Sequence, residues 1–384
     1  MTENANRAIQ NVMNEMTDNK AVAGVSCLVI KDGAEKFYYQ SGNRNIEKNL
    51  PMERDTIVHL FSMTKPITAC AVMKLMEEGL IDLAEPVSKF LPGFKNQTVG
   101  EERIPVVREV TIKDLLTMTG GLTYEGDGTY TERKTTELLE RLKTDTEWTT
   151  YEVANAIGEI PLNFQPGTDW QYSVGADVLG AVIEVVTGQS LGKYLRENIF
   201  EPLGMKDTAF WVPADKQSRL SAIYDMTGEW LRKYTGRNLG ISPEAEYEPA
   251  FEAGGAGLVS TIDDYAKFAT MLLQGGEYNG RRILGENTVR FFTGAHLNKE
   301  QQAGMDRWQG LEGYSYGNLM RVRTDSGLAC MNGEVGEYGW DGWAGTYFCN
   351  DPVNKLTMIV FQQLSCSGTT TYTRKIKNIV YRDI

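Results

Sequence analysis

Two hairpin patterns sit at opposite ends of this chain, and they constrain its fold more than anything between them. Near the N-terminus, "AGVSCLVIKDGAEKFYYQSG" reads as two strands joined by a turn at Lys31-Asp32-Gly33. Near the C-terminus, "GTYFCNDPVNKLTMIVFQQ" reads the same way, with its turn from Asp351-Pro352 to Asn354. Apolar positions at Ile9, Val12, Met13 and Met16 predict a helix before the first hairpin. "TRKIKNIVYRDI" predicts one after the second, with Ile376, Ile379 and Val380 on one face. Strands at both ends and helical patterns between them predict an α/β fold: an antiparallel sheet built from N- and C-terminal strands, flanked by helices, with a mostly helical inserted subdomain. One domain is expected over 1–384. Residues 1–60 and about 310–384 would supply the sheet part, and about 80–250 the insertion. Stretches 125–150, 225–250 and 296–316 are rich in charge, glycine and aromatics, and are expected to line pockets rather than form core.

Charge narrows the function classes. The net charge of -12 disfavours a nucleic-acid partner, which needs a basic face, and an anionic membrane surface. No apolar run is long enough to span a bilayer. The opening "MTENANRAIQNVMNEMTDNK" lacks a basic start and an apolar segment, which predicts a cytoplasmic location. The five cysteines are scattered and odd in number, as expected of reduced thiols. With two histidines and no H-E-x-x-H, neither a metal nor another cofactor is expected.

The stretch "HLFSMTKPITACAVMKLMEEG" carries the chemistry. Ser62 and Lys65 are three residues apart, and on a helix such residues share a face with Cβ atoms about 5–6 Å apart. Pro66 is tolerated only in a first helical turn, so the helix should begin near Met63 or Thr64. Ser62 then lies at the helix entrance, where free N–H groups favour developing negative charge. S-x-x-K alone is weak, and the chain holds a second copy at Ser190 and Lys193. There the serine is better placed to cap a helix.

The flanking sequence is more specific. "FSMTKPITACAVMKLMEEGLIDLAEPVSKFLPGF", "TIKDLLTMTGGLTY" and "FQPGTDWQYSVGADVLGAVIEVVTG" occur in that order. They are followed by "GGAGLVSTIDDYAKFATMLLQGG" and "YGWDGWAGTYFCNDP". Together they resemble the penicillin-binding-protein-like serine hydrolases: class C β-lactamases, D-alanyl peptidases and family VIII carboxylesterases. The resemblance runs from about residue 20 to about 365. It implies Ser62 as nucleophile, with Lys65 and Tyr172 (in Tyr172-Ser173-Val174) sharing the proton transfers. Neither a free lysine nor a free tyrosine is a base at neutral pH unless its surroundings perturb it. The third family motif falls on Trp340-Asp341-Gly342, which would make the Trp343 N–H the second oxyanion donor beside that of Ser62. A shifted alignment onto Trp343-Ala344-Gly345 is the alternative. His59 is expected to pack locally, and the glycines of "EAGGAGLVST" to permit a close backbone approach near the pocket.

Penicillin-cleaving members of the family carry polar residues where this chain has Val174 and Trp340. Asp341 adds a negative charge if it faces the site. The expected substrate is therefore a neutral or cationic small-molecule acyl ester or amide, in a pocket lined by Tyr124, Tyr338, Trp340, Trp343 and Trp308. A serine hydrolase of the carboxylesterase kind is the leading expectation. Transfer to an acceptor other than water comes next, then a D-amino-acid peptidase or weak β-lactamase. A non-catalytic acyl-binding sensor is the alternative from another class.

Overall fold

The computed structural model describes residues 1–384. Helix α1 (Glu3–Asp18) is capped by the Thr2 hydroxyl and leads into strands β1 (Gly24–Lys31) and β2 (Ala34–Asn45). The short strand β3 (Leu50–Pro51) precedes helix α2 (Lys65–Glu77). Among the elements that follow are helices α3 (Gly175–Thr187) and α4 (Ile262–Leu273). The chain returns to the sheet with β4 (Tyr314–Tyr316), β5 (Arg321–Arg323) and β6 (Tyr338–Asp341). It ends with β7 (Tyr347–Asp351), β8 (Leu356–Gln362) and helix α5 (Thr371–Arg382).

These eight strands form one antiparallel sheet in the order β4-β5-β6-β7-β8-β1-β2-β3, and shorter strands elsewhere form two-stranded pairs. The N- and C-terminal strands meet at β1 and β8, where Cys27 faces Val360 and Leu28 faces Ile359. The expected α/β sheet built from both termini is therefore present. Because side chains alternate along a strand, the central strands β1, β7 and β8 feed two cores. Val25, Cys27, Val29, Cys349, Met358 and Val360 pack beneath α1 and α5, which lie side by side. Leu28, Phe348, Ile359 and Phe361 point the other way, into the larger core that holds α2, α3 and α4. That parity decides which residues of β6 can reach the site described next. No helix is long and apolar enough to cross a membrane.

Candidate active site

The chain enters α2 through a single 3-10 turn, Phe61–Thr64, and Pro66 sits in the first helical turn, where its missing N–H leaves nothing unpaired. Phe61, just before Ser62, has φ of +46°, a backbone region that a side chain this bulky rarely occupies. Its ring is wedged between Trp343 (centroids 4.8 Å apart) and His59 (5.8 Å). The Thr64 hydroxyl accepts the Leu258 N–H at 3.1 Å, Tyr265 donates to the Met63 carbonyl at 3.0 Å, and Thr346 donates to the Leu60 carbonyl at 2.9 Å. Tertiary bonds from two directions thus hold a turn whose local conformation is unfavourable.

Lys65 has no solvent exposure. Its Nζ lies 3.1 Å from Ser62 Oγ, 2.8 Å from Tyr124 Oη and 2.8 Å from the Gly255 carbonyl oxygen. It also sits 4.7 Å from the centre of the Tyr172 ring. Desolvation pushes its pKa down to about 7, against the smaller opposing pull of the Asp177 and Asp341 charges. Tyr172 moves the other way. Burial raises its pKa, and hydrogen bonding from Ser62 and Trp340 only partly offsets the rise. Burial thus favours the neutral amine of Lys65 and the neutral phenol of Tyr172 alike.

The end of β6 completes the arrangement. A Cβ on Gly342 would stand 2.3 Å from the Leu60 carbonyl oxygen and 2.2 Å from Thr346 Oγ1, so only glycine lets the strand end lie against the Ser62 turn. Neither the Ser62 N–H nor the Trp343 N–H meets an acceptor in the protein, whereas the Gly342 N–H is bonded to the Thr346 carbonyl at 2.8 Å.

Several residues expected at the site behave differently in three dimensions. Tyr124 does more than line a pocket, since its hydroxyl touches Lys65 Nζ. Trp340 is not merely apolar: its Nε1–H donates to Tyr172 Oη at 3.1 Å and its ring packs on Tyr172 and Tyr316. Asp341 is not an unpaired charge beside Ser62. It pairs across the ladder with Tyr347, while Trp340 pairs with Phe348, so pleat alternation sends the two side chains to opposite faces. Asp341 lies 3.6 Å from the buried Arg321 guanidinium and accepts from the Thr369 hydroxyl. Tyr338 is core: it is 2% exposed, and its hydroxyl accepts from Asn350 Nδ2 at 3.1 Å. Val174 is likewise buried, at the N-terminus of α3.

Trp308, from the 296–316 excursion, packs edge-on against Tyr172 with centroids 4.9 Å apart. It stands between two cavities. One, of about 570 Å³, is lined by Tyr124, Glu125, Gln171, Tyr172 and Arg307. The other, of about 500 Å³, is lined by Trp340, Asp341, Arg321, Cys330 and Cys366. A third cavity, of about 660 Å³, lies behind the nucleophile turn between the 142–148 and 237–251 segments, with His59 in its wall. The His59 ring is 1% exposed, bonds the Pro243 carbonyl through Nε2 and is held near pKa 4 by burial, which leaves it a packing residue.

Ser190 caps the helix Leu191–Leu195 by accepting the Lys193 N–H, and Lys193 is not directed at its hydroxyl. The sequence reading missed the Gly255 carbonyl and the buried Asp177 behind it. The one available signal was the run Gly254-Gly255-Ala256-Gly257, which does mark a close backbone approach. A Cβ on Gly254 would stand 2.5 Å from the Ala176 carbonyl oxygen, and one on Gly255 would stand 2.7 Å from Asp177 Oδ2. No three His, Cys, Asp or Glu side chains gather within reach of a single ion.

Comparison with known proteins agrees with this architecture. Residues 7–370 match the Beta-lactamase family. The chain is 29% identical over 387 residues to Esterase EstB of Burkholderia gladioli, covering 96% of this chain and 93% of that protein. It is 30% identical over 358 residues to a putative D-alanyl-D-alanine carboxypeptidase of Escherichia coli, covering 88% and 77%. Among solved structures, "EstCE1, a hydrolase with promiscuous acyltransferase activity" superposes with a TM-score of 0.84 at 24% identity, over 98% of both chains. A match along nearly the whole sequence, to proteins that share the sheet and its flanking helices, places this chain in the Beta-lactamase family.

Proposed function

We propose that the protein hydrolyses neutral carboxylic esters through an acyl-enzyme on Ser62. The observation that carries this reading is the coordination of Lys65 Nζ. A neutral amine has two hydrogens and one lone pair, and Nζ has three polar neighbours. The Gly255 carbonyl can only accept, so it takes one hydrogen. With Tyr124 Oη taking the other, the lone pair faces the Ser62 hydroxyl. A desolvated amine near pKa 7 in that orientation is a general base at neutral pH.

The steps follow. Ser62 Oγ gives its proton to Lys65 Nζ and bonds to the ester carbonyl carbon, and the C=O electron pair moves onto oxygen. The Ser62 and Trp343 N–H groups hold that oxyanion. Tyr172 holds its proton through the attack and receives the Trp340 Nε1–H on its oxygen; as the oxyanion pair re-forms C=O and the C–O bond to the alcohol breaks, Tyr172 gives its proton to the departing alkoxide. The proton held by Lys65 makes good the loss, and the acyl–Oγ bond remains. Water then attacks the acyl carbon, Lys65 takes its proton, and the acid leaves as Ser62 regains a hydrogen. The likeness to an esterase over nearly the full chain supports an ester substrate.

The test is turnover of p-nitrophenyl butyrate, with product burst and mass of the trapped protein. Ser62→Ala should lose on the order of 10⁴-fold or more in kcat. Ser190→Ala should keep nearly all activity, because its hydroxyl contributes only a helix cap. In the wild type, kcat/KM should fall as pH drops through about 7, because protonated Lys65 has no lone pair to offer. An acyl group found on Ser190, or equal losses in both variants, overturns the assignment. Faster turnover of a D-alanyl amide than of any neutral ester would move the chain to the peptidases.

A further inference from the structure

Behind Lys65 lies a carboxylate that these steps do not use. Asp177, in the first turn of α3, is 5% exposed. Its Oδ1 accepts the Gly255 N–H at 2.8 Å, and the carbonyl of the same residue accepts from Lys65 Nζ at 2.8 Å. One residue, Gly255, therefore links the two side chains through its N–H and its carbonyl. From the opposite side the Thr68 hydroxyl, on α2, donates to the Gly254 carbonyl at 2.7 Å. The glycine pair is pressed so closely on α3 that no Cβ fits at either position.

Charge gives this contact its meaning. When Lys65 takes the Ser62 proton it becomes an ammonium with no solvent exposure, and an isolated buried ammonium is strongly disfavoured. The groups around it are the Ser62 and Tyr124 hydroxyls, the face of the Tyr172 ring, the Gly255 carbonyl and, beyond them, the carboxylates of Asp177 and Asp341. Asp341 already has Arg321 beside it. Asp177 has no partner cation of its own; burial pushes its pKa up, and the Lys65 charge is the largest influence drawing it back toward the ionised form.

We propose that Asp177 is the positioning residue of the base: it fixes the Gly255 carbonyl on Lys65 and offsets the charge that Lys65 acquires when Ser62 is deprotonated. The proposal rests on Lys65 being the base for Ser62. Its signature has a definite sign. Removing the anion disfavours the ammonium, so the acid limb of kcat/KM moves to lower pH while the plateau falls because the base is weaker. A purely structural defect lowers the active fraction at every pH and leaves the limb where it was.

The experiment is the pH profile of kcat/KM for p-nitrophenyl butyrate in wild type, Asp177→Asn, Asp177→Ser and Lys65→Ala, with thermal melts of each. Asparagine keeps the volume and an acceptor for the Gly255 N–H. Serine provides a second uncharged side chain should asparagine perturb the fold. The acid limb should move down by about one pH unit in both Asp177 variants. The plateau should drop about tenfold. A limb that stays in place in both, beside an inactive Lys65→Ala and a wild-type limb near neutrality, overturns the role of Asp177 alone. An active Lys65→Ala, or a wild type with no limb near neutrality, defeats the base assignment and this proposal with it.

Discussion

Gly342→Ala is the sharpest perturbation the site offers, because it touches neither the nucleophile nor the base. The added methyl would stand 2.3 Å from the Leu60 carbonyl oxygen and 2.2 Å from Thr346 Oγ1. An ordinary carbon–oxygen contact needs roughly 3.3 Å, so the end of β6 must retreat from the Ser62 turn by about 1 Å. Neither obstacle can swing aside, because the Thr346 hydroxyl is bonded to that same Leu60 carbonyl and its backbone carbonyl holds the Gly342 N–H. The Trp343 N–H moves with the strand. Misplacement by 1 Å costs about 10²-fold in a well-oriented reaction. Complete loss of one oxyanion donor costs about 10² to 10³ in kcat, or ~2.7–4 kcal/mol. Steady-state kinetics on p-nitrophenyl butyrate should therefore show kcat down by about 10² to 10³, with KM little changed. The acid limb should stay where it is in the wild type, because Lys65 and its partners are untouched. A kcat within about threefold of wild type, alongside an inactive Ser62→Ala, would remove Trp343 from the oxyanion pocket and favour the register in which Gly345 ends the motif.

Three further outcomes follow from side-chain geometry. Trp340→Phe keeps the packing on Tyr172 but deletes a 3.1 Å hydrogen bond, so kcat should fall about three- to tenfold; an unchanged kcat would separate Trp340 from the proton path. Asp341→Asn should change kcat/KM for a neutral ester and a carboxylate-bearing ester by the same factor, because Arg321 already balances that charge. A selective gain for the anionic ester would show that the carboxylate acts on substrate. Lys377→Met strands the Glu337 carboxylate, whose ion pair spans 2.5 Å with exposures of 0% and 1%. The variant should lose about 3–5 kcal/mol of stability in urea unfolding, and a loss below about 1 kcal/mol would mean that Tyr314 and Tyr381 suffice to hold Glu337.

What the sequence determined by itself is what short range can encode. Strand-like runs joined by turn residues located β1, β2, β7 and β8, and the apolar stripes of α1 and α5 followed from Ile9, Met13, Met16, Ile376 and Val380. The three-residue spacing of Ser62 and Lys65, with Pro66 fixing the helix start, put amine and hydroxyl within reach of each other. Ser190 could be set aside as a cap on local grounds alone. The rest was decided by tertiary structure. The other partners of Lys65 lie far along the chain, at Tyr124 and Gly255, and no periodicity relates them to it. The direction of Asp341 depends on the pleat parity of β6 against β7, which pairing sets and composition does not, so a charge expected at the nucleophile faces Arg321 instead. Tyr338 and Val174 are in the core as well, one on β6 and the other at the start of α3. An aromatic or branched residue reads alike in a pocket wall and in a core, and only packing from α3 and α4 tells them apart. The pKa of the base belongs to the fold as well: a lysine is moved to about 7 by the loss of water around it, and that depends on every element that closes over α2.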